Sequence, residues 1–169
     1  MVSIDGRCAS GKTTLADLLK QIYDCNVFKM DDFFLQPFQR TKERLESPGE
    51  NVDHERFKEE ILIPLSKHED VKLCKFNCST MSIESAILIP YKLFNVIEGS
   101  YSMHSSLQKY YDFSVFLTVN KDEQIERLRK RNPKMLNNFI QRWIPLEEAY
   151  FNTFSIQDKC DIQINTSKA

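Results

Sequence analysis

Gly6-Arg7-Cys8-Ala9-Ser10-Gly11-Lys12-Thr13 has the spacing G-x-x-x-x-G-K-[ST] of a phosphate-binding loop, or P-loop, and its flanks are those such a loop needs. The apolar run from Met1 to Ile4 reads as an opening strand, and beyond the loop Leu15, Leu18, Leu19 and Ile22 recur at helical spacing. Gly6 and Gly11 permit backbone conformations that a Cβ resists, so successive N–H groups can turn inward toward an anion. The helix that starts near Gly11 adds unpaired N–H groups and the positive end of its dipole. Lys12 brings a mobile charge for β- and γ-phosphates, and Thr13 a hydroxyl able to ligate Mg2+. The expected nucleotide-binding residues are therefore Gly6, Arg7, Cys8, Ala9, Ser10, Gly11, Lys12, Thr13 and Thr14, with ATP and Mg2+ as the implied ligands. With average glycine usage, the fixed positions arise by chance in about one chain in a hundred of this length. The loop also holds two of only four glycines in the chain.

At 169 residues the chain has the length of one domain, spanning 1–169, with room for a substantial core and for no more than a small inserted lid. Its 23 basic and 24 acidic residues leave a net charge of -1, which argues against nucleic acid or an anionic membrane as partner and for a small molecule. A homo-oligomer is left open. No apolar run has the length of a membrane span, and the first strand starts at Met1, so the expected location is cytoplasmic. Cys8, Cys25, Cys74, Cys78 and Cys160 are odd in number and widely spaced, and read as reduced thiols.

Along the chain, Asn26 to Met30 reads as a second strand ending in Asp31-Asp32-Phe33-Phe34. In open α/β sheets ligands bind outside the carboxyl ends of the strands, which places these carboxylates in the crevice of the phosphate loop. Residues 35–51 show no periodicity and read as a loop. Asp53 stands at the entrance of a helical pattern through Phe57, Ile61 and Leu65, as an N-cap would, and Pro64 is expected to end or bend that helix. Val71 to Phe76 and Ala86 to Ile89 flank a turn-rich segment and suggest a hairpin. Leu93 to Ile97 is a buried-type strand ending in Glu98, a second acidic strand end that suits the Mg2+ site.

Phe113 to Val119 gives a further strand, followed by a helix from Lys121 to Arg131 with Glu123 and Arg127 paired one turn apart. Charge runs on helices are usually solvated faces; the functional alternative has one or two of these arginines closing over the transferring phosphoryl group. On that alternative Arg127 faces the acceptor and Arg131 the nucleotide. A long helical pattern from Leu136 to Phe154 carries an apolar stripe of Phe139, Trp143, Leu146, Tyr150 and Phe154, with Pro145 expected to kink or divide it. Cys160 to Ile164 supplies the last strand. Strands alternating with helices imply an α/β, three-layer P-loop NTPase fold: a parallel sheet with helices on both faces and a small hairpin or lid insertion.

Four segments in order, Ile4 to Thr14, Met30-Asp31-Asp32-Phe33-Phe34, Asn51-Val52-Asp53-His54-Glu55-Arg56-Phe57 and Val96-Ile97-Glu98-Gly99, resemble the uridine kinase group of P-loop kinases over most of the chain. The second is also similar to nicotinamide riboside kinases. The resemblance implies transfer of the ATP γ-phosphoryl group to a hydroxyl, first of all the 5′-hydroxyl of a nucleoside such as uridine or cytidine. It implies Asp31 as the carboxylate that receives the hydroxyl proton, with Lys12 as its catalytic partner. It also implies Asp53 at ribose hydroxyls, Phe34 at the base, and Glu98 with Thr13 at Mg2+. The alternatives are a kinase of another metabolite such as nicotinamide riboside, and a nucleotide-binding regulator or ATPase. The departures from the group, a short segment after Arg127, Phe76-Asn77 in place of a Tyr-Asp pair and a Phe at 34 without a phenolic hydroxyl, fall mostly on the acceptor side.

Overall fold

A computed structural model describes residues 1–168. Five parallel strands form the central sheet: β1 (Val2–Gly6), β2 (Cys25–Lys29), β7 (Phe94–Glu98), β8 (Phe113–Thr118) and β9 (Ile162–Asn165), in the spatial order β2-β7-β1-β8-β9. The strand order reverses beside β1, so the crevice at its carboxyl end lies between crossovers that leave in opposite directions. Two registers set the crevice: Glu98 pairs with both Ile4 and Lys29, so the end of β7 is level with the loop after β1 and the turn after β2.

Side-chain alternation divides the core into two layers. Ile4, Val96, Val115 and Leu117 face Ala16 of helix α1 (Lys12–Ile22). Phe28, Ile97 and Phe116 face the opposite layer, with Phe33, Phe57, Ile61, Leu65, Tyr150 and Phe151. In α1 the expected stripe holds only in part: Leu15 and Leu19 pack against the sheet layer, whereas Leu18 and Ile22 are exposed and the small Ala16 is fully buried.

The segment 35–51 is not the featureless loop expected; it contains a single helical turn at Pro37–Gln39 and a short helix α2 (Lys42–Glu46) capped by the Thr41 hydroxyl. The hairpin is present as nested pairs, β3 (Val71–Leu73) with β6 (Ile87–Ile89) and β4 (Phe76–Asn77) with β5 (Ser82–Ile83).

Neither proline breaks its helix. Helix α3 (His54–Phe57) passes through a π turn (Lys58–Leu62) into α4 (Ile63–Ser66), which contains Pro64. After α5 (Lys121–Arg131), α6 (Leu136–Asn138) passes through a π turn (Phe139–Trp143) into α7 (Ile144–Phe154), which contains Pro145. A short helix α8 (Ile156–Lys159) then leads to β9. A proline lacks the N–H for the bond to the carbonyl four residues back, and its ring presses on that carbonyl. Widening the preceding turn moves the carbonyl away, so in both helices the same local device carries the chain past its proline.

Candidate active site at the carboxyl ends of the strands

The phosphate loop is fixed from beneath. Gly6 lies so close to β8 that a Cβ would stand 2.0 Å from the Leu117 carbonyl oxygen, and the Arg7 N–H donates to that same oxygen at 3.1 Å. Ala9 takes a left-handed conformation (φ 60°), which costs a non-glycine residue about 1 kcal/mol. The Arg127 guanidinium donates to the Ala9 carbonyl at 3.1 Å, and the Thr166 hydroxyl donates to the Ser10 carbonyl at 2.9 Å. Gln124 donates to the Cys8 carbonyl at 3.0 Å. With its carbonyls bound below, the loop leaves the N–H groups of Ala9, Gly11, Lys12 and Thr13 without an acceptor among the described residues, and helix α1 starts at the Leu15 N–H bond to Gly11. The buried Ser10 hydroxyl also has no partner. Unpaired donors around one concavity at a helix start fit a polyphosphate.

The residues expected at Mg2+ have a chemistry that fits it. Thr13 donates its hydroxyl to Glu98 at 3.0 Å, joining the start of α1 to the end of β7. Burial raises the Glu98 carboxyl above its ordinary range, and the nearby Asp31 charge adds to the rise, while the Thr13 hydrogen bond and Lys12 oppose it. A hydroxyl and a carboxylate side by side are hard oxygen ligands of the kind Mg2+ takes.

Asp31 stands on the single helical turn Met30–Asp32 that follows β2, exposed to the crevice, and its charge is felt by both Glu98 and Tyr101. The segment behind it is stitched to the next one: Phe34 bridges to Val52, and the Asp53 N–H donates to the Phe33 carbonyl at 2.8 Å. Two stretches singled out in the sequence are thereby brought side by side.

Asp53 itself is turned inward. It is 2 % exposed, one oxygen caps the Arg56 N–H at 3.1 Å and the other lies 3.5 Å from the Arg56 guanidinium. The capping role read from sequence is the one the structure gives it, and in this arrangement no carboxylate oxygen is offered to a sugar. Arg127 is likewise committed elsewhere than at an acceptor: to Glu123, Thr166 and the Ala9 carbonyl, all beneath the loop. Arg131 is exposed, lies 5.8 Å from the Phe139 ring centroid, and its charge reaches Cys8. The stretch after it is a single helical turn at Pro133–Met135, not an extended lid.

Several residues of the crevice were not singled out by sequence. Glu148 is one: Arg7, expected at the nucleotide, forms a two-point ion pair with it at 2.6 and 2.9 Å, which docks α7 on the loop. Glu147 accepts from the Cys8 N–H at 2.9 Å and from the Ser100 hydroxyl at 2.8 Å. Asp5, fully buried in β1, accepts from the N–H groups of Gly6 and Met103 and from the Tyr150 hydroxyl; burial nonetheless carries its pKa from the ordinary 3.8 to about 6. The one available signal was an acidic residue in an apolar strand just before the loop; Glu147 and Glu148 gave none, since they lie some 140 residues from their partners.

Behind Asp53, His54 and His104 stack with ring centroids 3.9 Å apart and planes 17° apart. Both present Nε2 to Glu50 and Nδ1 toward Ser106. The Ser106 N–H donates to His104 Nδ1, so that ring carries its proton on Nε2; burial first, then the charge of His54, lowers its pKa. Nearly parallel rings point their lone pairs alongside one another, whereas a metal shared by two histidines needs them to converge. The cluster joins Glu50 and the start of α3 to the segment that follows β7, at His104 and Ser106.

No family model matches the chain, and no curated protein does. Solved structures match its fold. A protein described as a possible uridine kinase from Bacillus stearothermophilus is 22% identical with a TM-score of 0.71, over 96% of this chain and 86% of that one. A proposed fructose transport system kinase from a Silicibacter species matches equally, at 22% identity and 0.71 over 96% and 88%. D-glycerate 3-kinase from Cryptococcus neoformans is 13% identical with a TM-score of 0.62, over 98% and 85%. The chain thus has the three-layer α/β fold of the P-loop kinases.

Proposed function

We propose that the protein is a Mg-ATP-dependent kinase that transfers the γ-phosphoryl group to a hydroxyl of a small molecule, with a nucleoside such as uridine or cytidine as the first acceptor to try. The observation that carries this reading is the Thr13–Glu98 hydrogen bond with Asp31 beside it: a phosphate loop, a metal-ligand pair and a free carboxylate converge at three adjacent strand ends. A regulator that only binds nucleotide has no use for that third group.

The loop N–H groups and Lys12 would hold the triphosphate, and Thr13 with Glu98 would hold Mg2+. The metal ion, when bound, supplies charge compensation for the phosphate oxygens. Asp31 orients the acceptor hydroxyl and takes its proton as the new O–P bond forms and the bond from γ-phosphorus to the leaving diphosphate breaks. Phe34 and the hairpin bound the acceptor side. Since Asp53 is engaged with Arg56, Asp31 carries the polar recognition there, and acceptors other than ribosides come into scope. Polyhydroxylated acceptors such as fructose and D-glycerate, compounds that occur in the names of two structural neighbours, belong in the test.

The test measures ADP release with Mg-ATP against uridine, cytidine, other nucleosides, nicotinamide riboside, pantothenate, fructose and D-glycerate, with product masses. The expected result is acceptor-dependent ADP and a product heavier by one phosphoryl group. ADP without any phosphorylated product across the panel would favour the ATPase reading. Absence of nucleotide binding, or turnover and affinity unaffected by Lys12→Ala, would remove the phosphate loop from the chemistry.

A further inference from the structure

The donors of the phosphate loop are not all free. Lys12 is buried, and its ammonium group donates to the Gly6 carbonyl at 2.6 Å, the Arg7 carbonyl at 2.9 Å and the Ser100 hydroxyl at 3.3 Å. The Ser100 hydroxyl in turn donates to Glu147 at 2.8 Å, and the other oxygen of that carboxylate accepts the Cys8 N–H at 2.9 Å. A buried carboxylate thus takes one loop N–H directly and stands one hydroxyl away from the lysine that would serve a terminal phosphate. No arginine or lysine pairs directly with Glu147 among the described residues; Arg7, the nearest candidate by sequence, is committed to Glu148. Asp31 and Glu98, the other carboxylates of the crevice, make no hydrogen bond to Lys12 or to the loop N–H groups, Glu98 being held by the Thr13 side chain.

We propose that Glu147 is a positioning residue that stands in for phosphate charge: it holds Lys12 back through Ser100 and holds the loop at Cys8, and a triphosphate tail must displace this grip to be held by Lys12. This rests on the nucleotide reading of the site. Its geometry follows from the local fold, since the π turn (Phe139–Trp143) sets the face of α7 on which Glu147 and its buried neighbours Tyr150 and Phe151 lie. A carboxylate on an anion-binding loop opposes the arriving anion twice, by like-charge repulsion and by competing for the same donors. Each effect bears on the far end of the triphosphate and leaves a nucleoside or monophosphate almost untouched.

The experiment is calorimetric binding of Mg-ATP and of AMP to the full chain, to Glu147→Gln and to Ser100→Ala. Glutamine keeps an acceptor for the Cys8 N–H and removes the charge; its amide N–H2 reverses the Ser100 contact, and the Ser100 hydroxyl then donates to the Gly6 carbonyl, 3.2 Å away. Mg-ATP should bind Glu147→Gln about tenfold more tightly, the scale of one partly solvated charge pair, while AMP affinity stays constant. Ser100→Ala cuts the link to Lys12 but leaves the Cys8 bond, and should give a smaller gain for Mg-ATP alone. A merely structural brace predicts no change for either ligand, or an equal loss for both, and either result overturns the proposal. Should Glu147→Gln not fold, Ser100→Ala decides, an unchanged ratio of ATP to AMP affinity counting against it. Wild-type protein that binds neither ligand would defeat the nucleotide reading itself, a result distinct from equal binding by wild type and variants.

Discussion

Beneath the phosphate loop, Arg127, Thr166, Gln124 and the β8 backbone each bind a carbonyl or N–H group of residues 7–10, and Arg7 ties the loop to α7. Across the crevice, the exposed Asp31 side chain rides on a single helical turn whose neighbours Met30 and Phe33 are buried, and Phe34 bridges to Val52 while the Asp53 N–H holds the Phe33 carbonyl. Groups that grip a polyphosphate must be in place before it arrives, because its charge is the same whatever the acceptor. On the proposed function, the group that meets the acceptor is a side chain free of hydrogen bonds among the described residues, which suits a surface that selects by shape. The loop end of the crevice is pinned through its backbone, whereas at the Asp31 end the backbone is held and the carboxylate itself is left open.

The sharpest way to break this contrast is at Asp31. Asp31→Asn should leave ATP affinity in place and lower turnover by about a thousandfold, equivalent to about 4 kcal/mol of transition-state stabilisation. Turnover within a few-fold of wild type would take Asp31 out of the chemistry. On the rigid side, Gly6→Ala puts a methyl group 2.0 Å from the Leu117 oxygen, which β1 and β8 can relieve only by separating. A loss of about 3 kcal/mol in urea unfolding is expected, and a variant as stable as wild type would show that the strands tolerate the shift.

Asp5 sharpens the comparison through pH. Its folded pKa of about 6 lies above the ordinary 3.8, so the native state binds the proton more tightly than the unfolded chain. The resulting stabilisation is complete below about pH 4 and is lost as pH rises through about 6, amounting to about 2 to 3 kcal/mol. Carbon-13 NMR of the Asp5 carboxyl should titrate near 6; a midpoint near 4 would mean that its hydrogen bonds outweigh its burial. The smallest effect expected is at Arg127. Arg127→Ala removes the bond to the Ala9 carbonyl and should cost about 1 to 2 kcal/mol of stability, with weaker ATP binding and an unchanged acceptor KM. A change confined to the acceptor KM would return Arg127 to the acceptor side.

What could be read from sequence was what is local. The phosphate loop, the strands leading to Asp31 and Glu98, the cap at Asp53 and the hairpin each depend on residues a few positions apart, and their patterns survive in one dimension. Partners distant in sequence left little trace. Arg127 was read as the partner of Glu123 one turn back, which it is, with an acceptor contact as the alternative; Thr166, which the β9 end brings beneath the loop to meet its guanidinium, could not be seen. Asp53 was read both as a cap and, from the resemblance, as a ribose ligand; the first needs only Arg56 three residues on, while the second needs a free carboxylate oxygen, and both oxygens here lie against Arg56. The helix α2 was hidden because a five-residue element has too few positions to show a period. Pro64 was read as an end or bend and Pro145 as a kink or division; the π turn that precedes each could not be read, because the propensity rule assumes α geometry on both sides.

Those π turns also act as gear teeth. A π turn carries about one residue more than the α turn it replaces, and each α-helical residue rotates the chain by about 100°. Deleting one residue within Phe139–Trp143 would therefore spin α7 by that angle, carrying Glu147 and Glu148 off the phosphate loop and Tyr150 off Asp5 in a single motion. The accommodation of one proline thus sets the angular timing by which a distant helix meshes with the site.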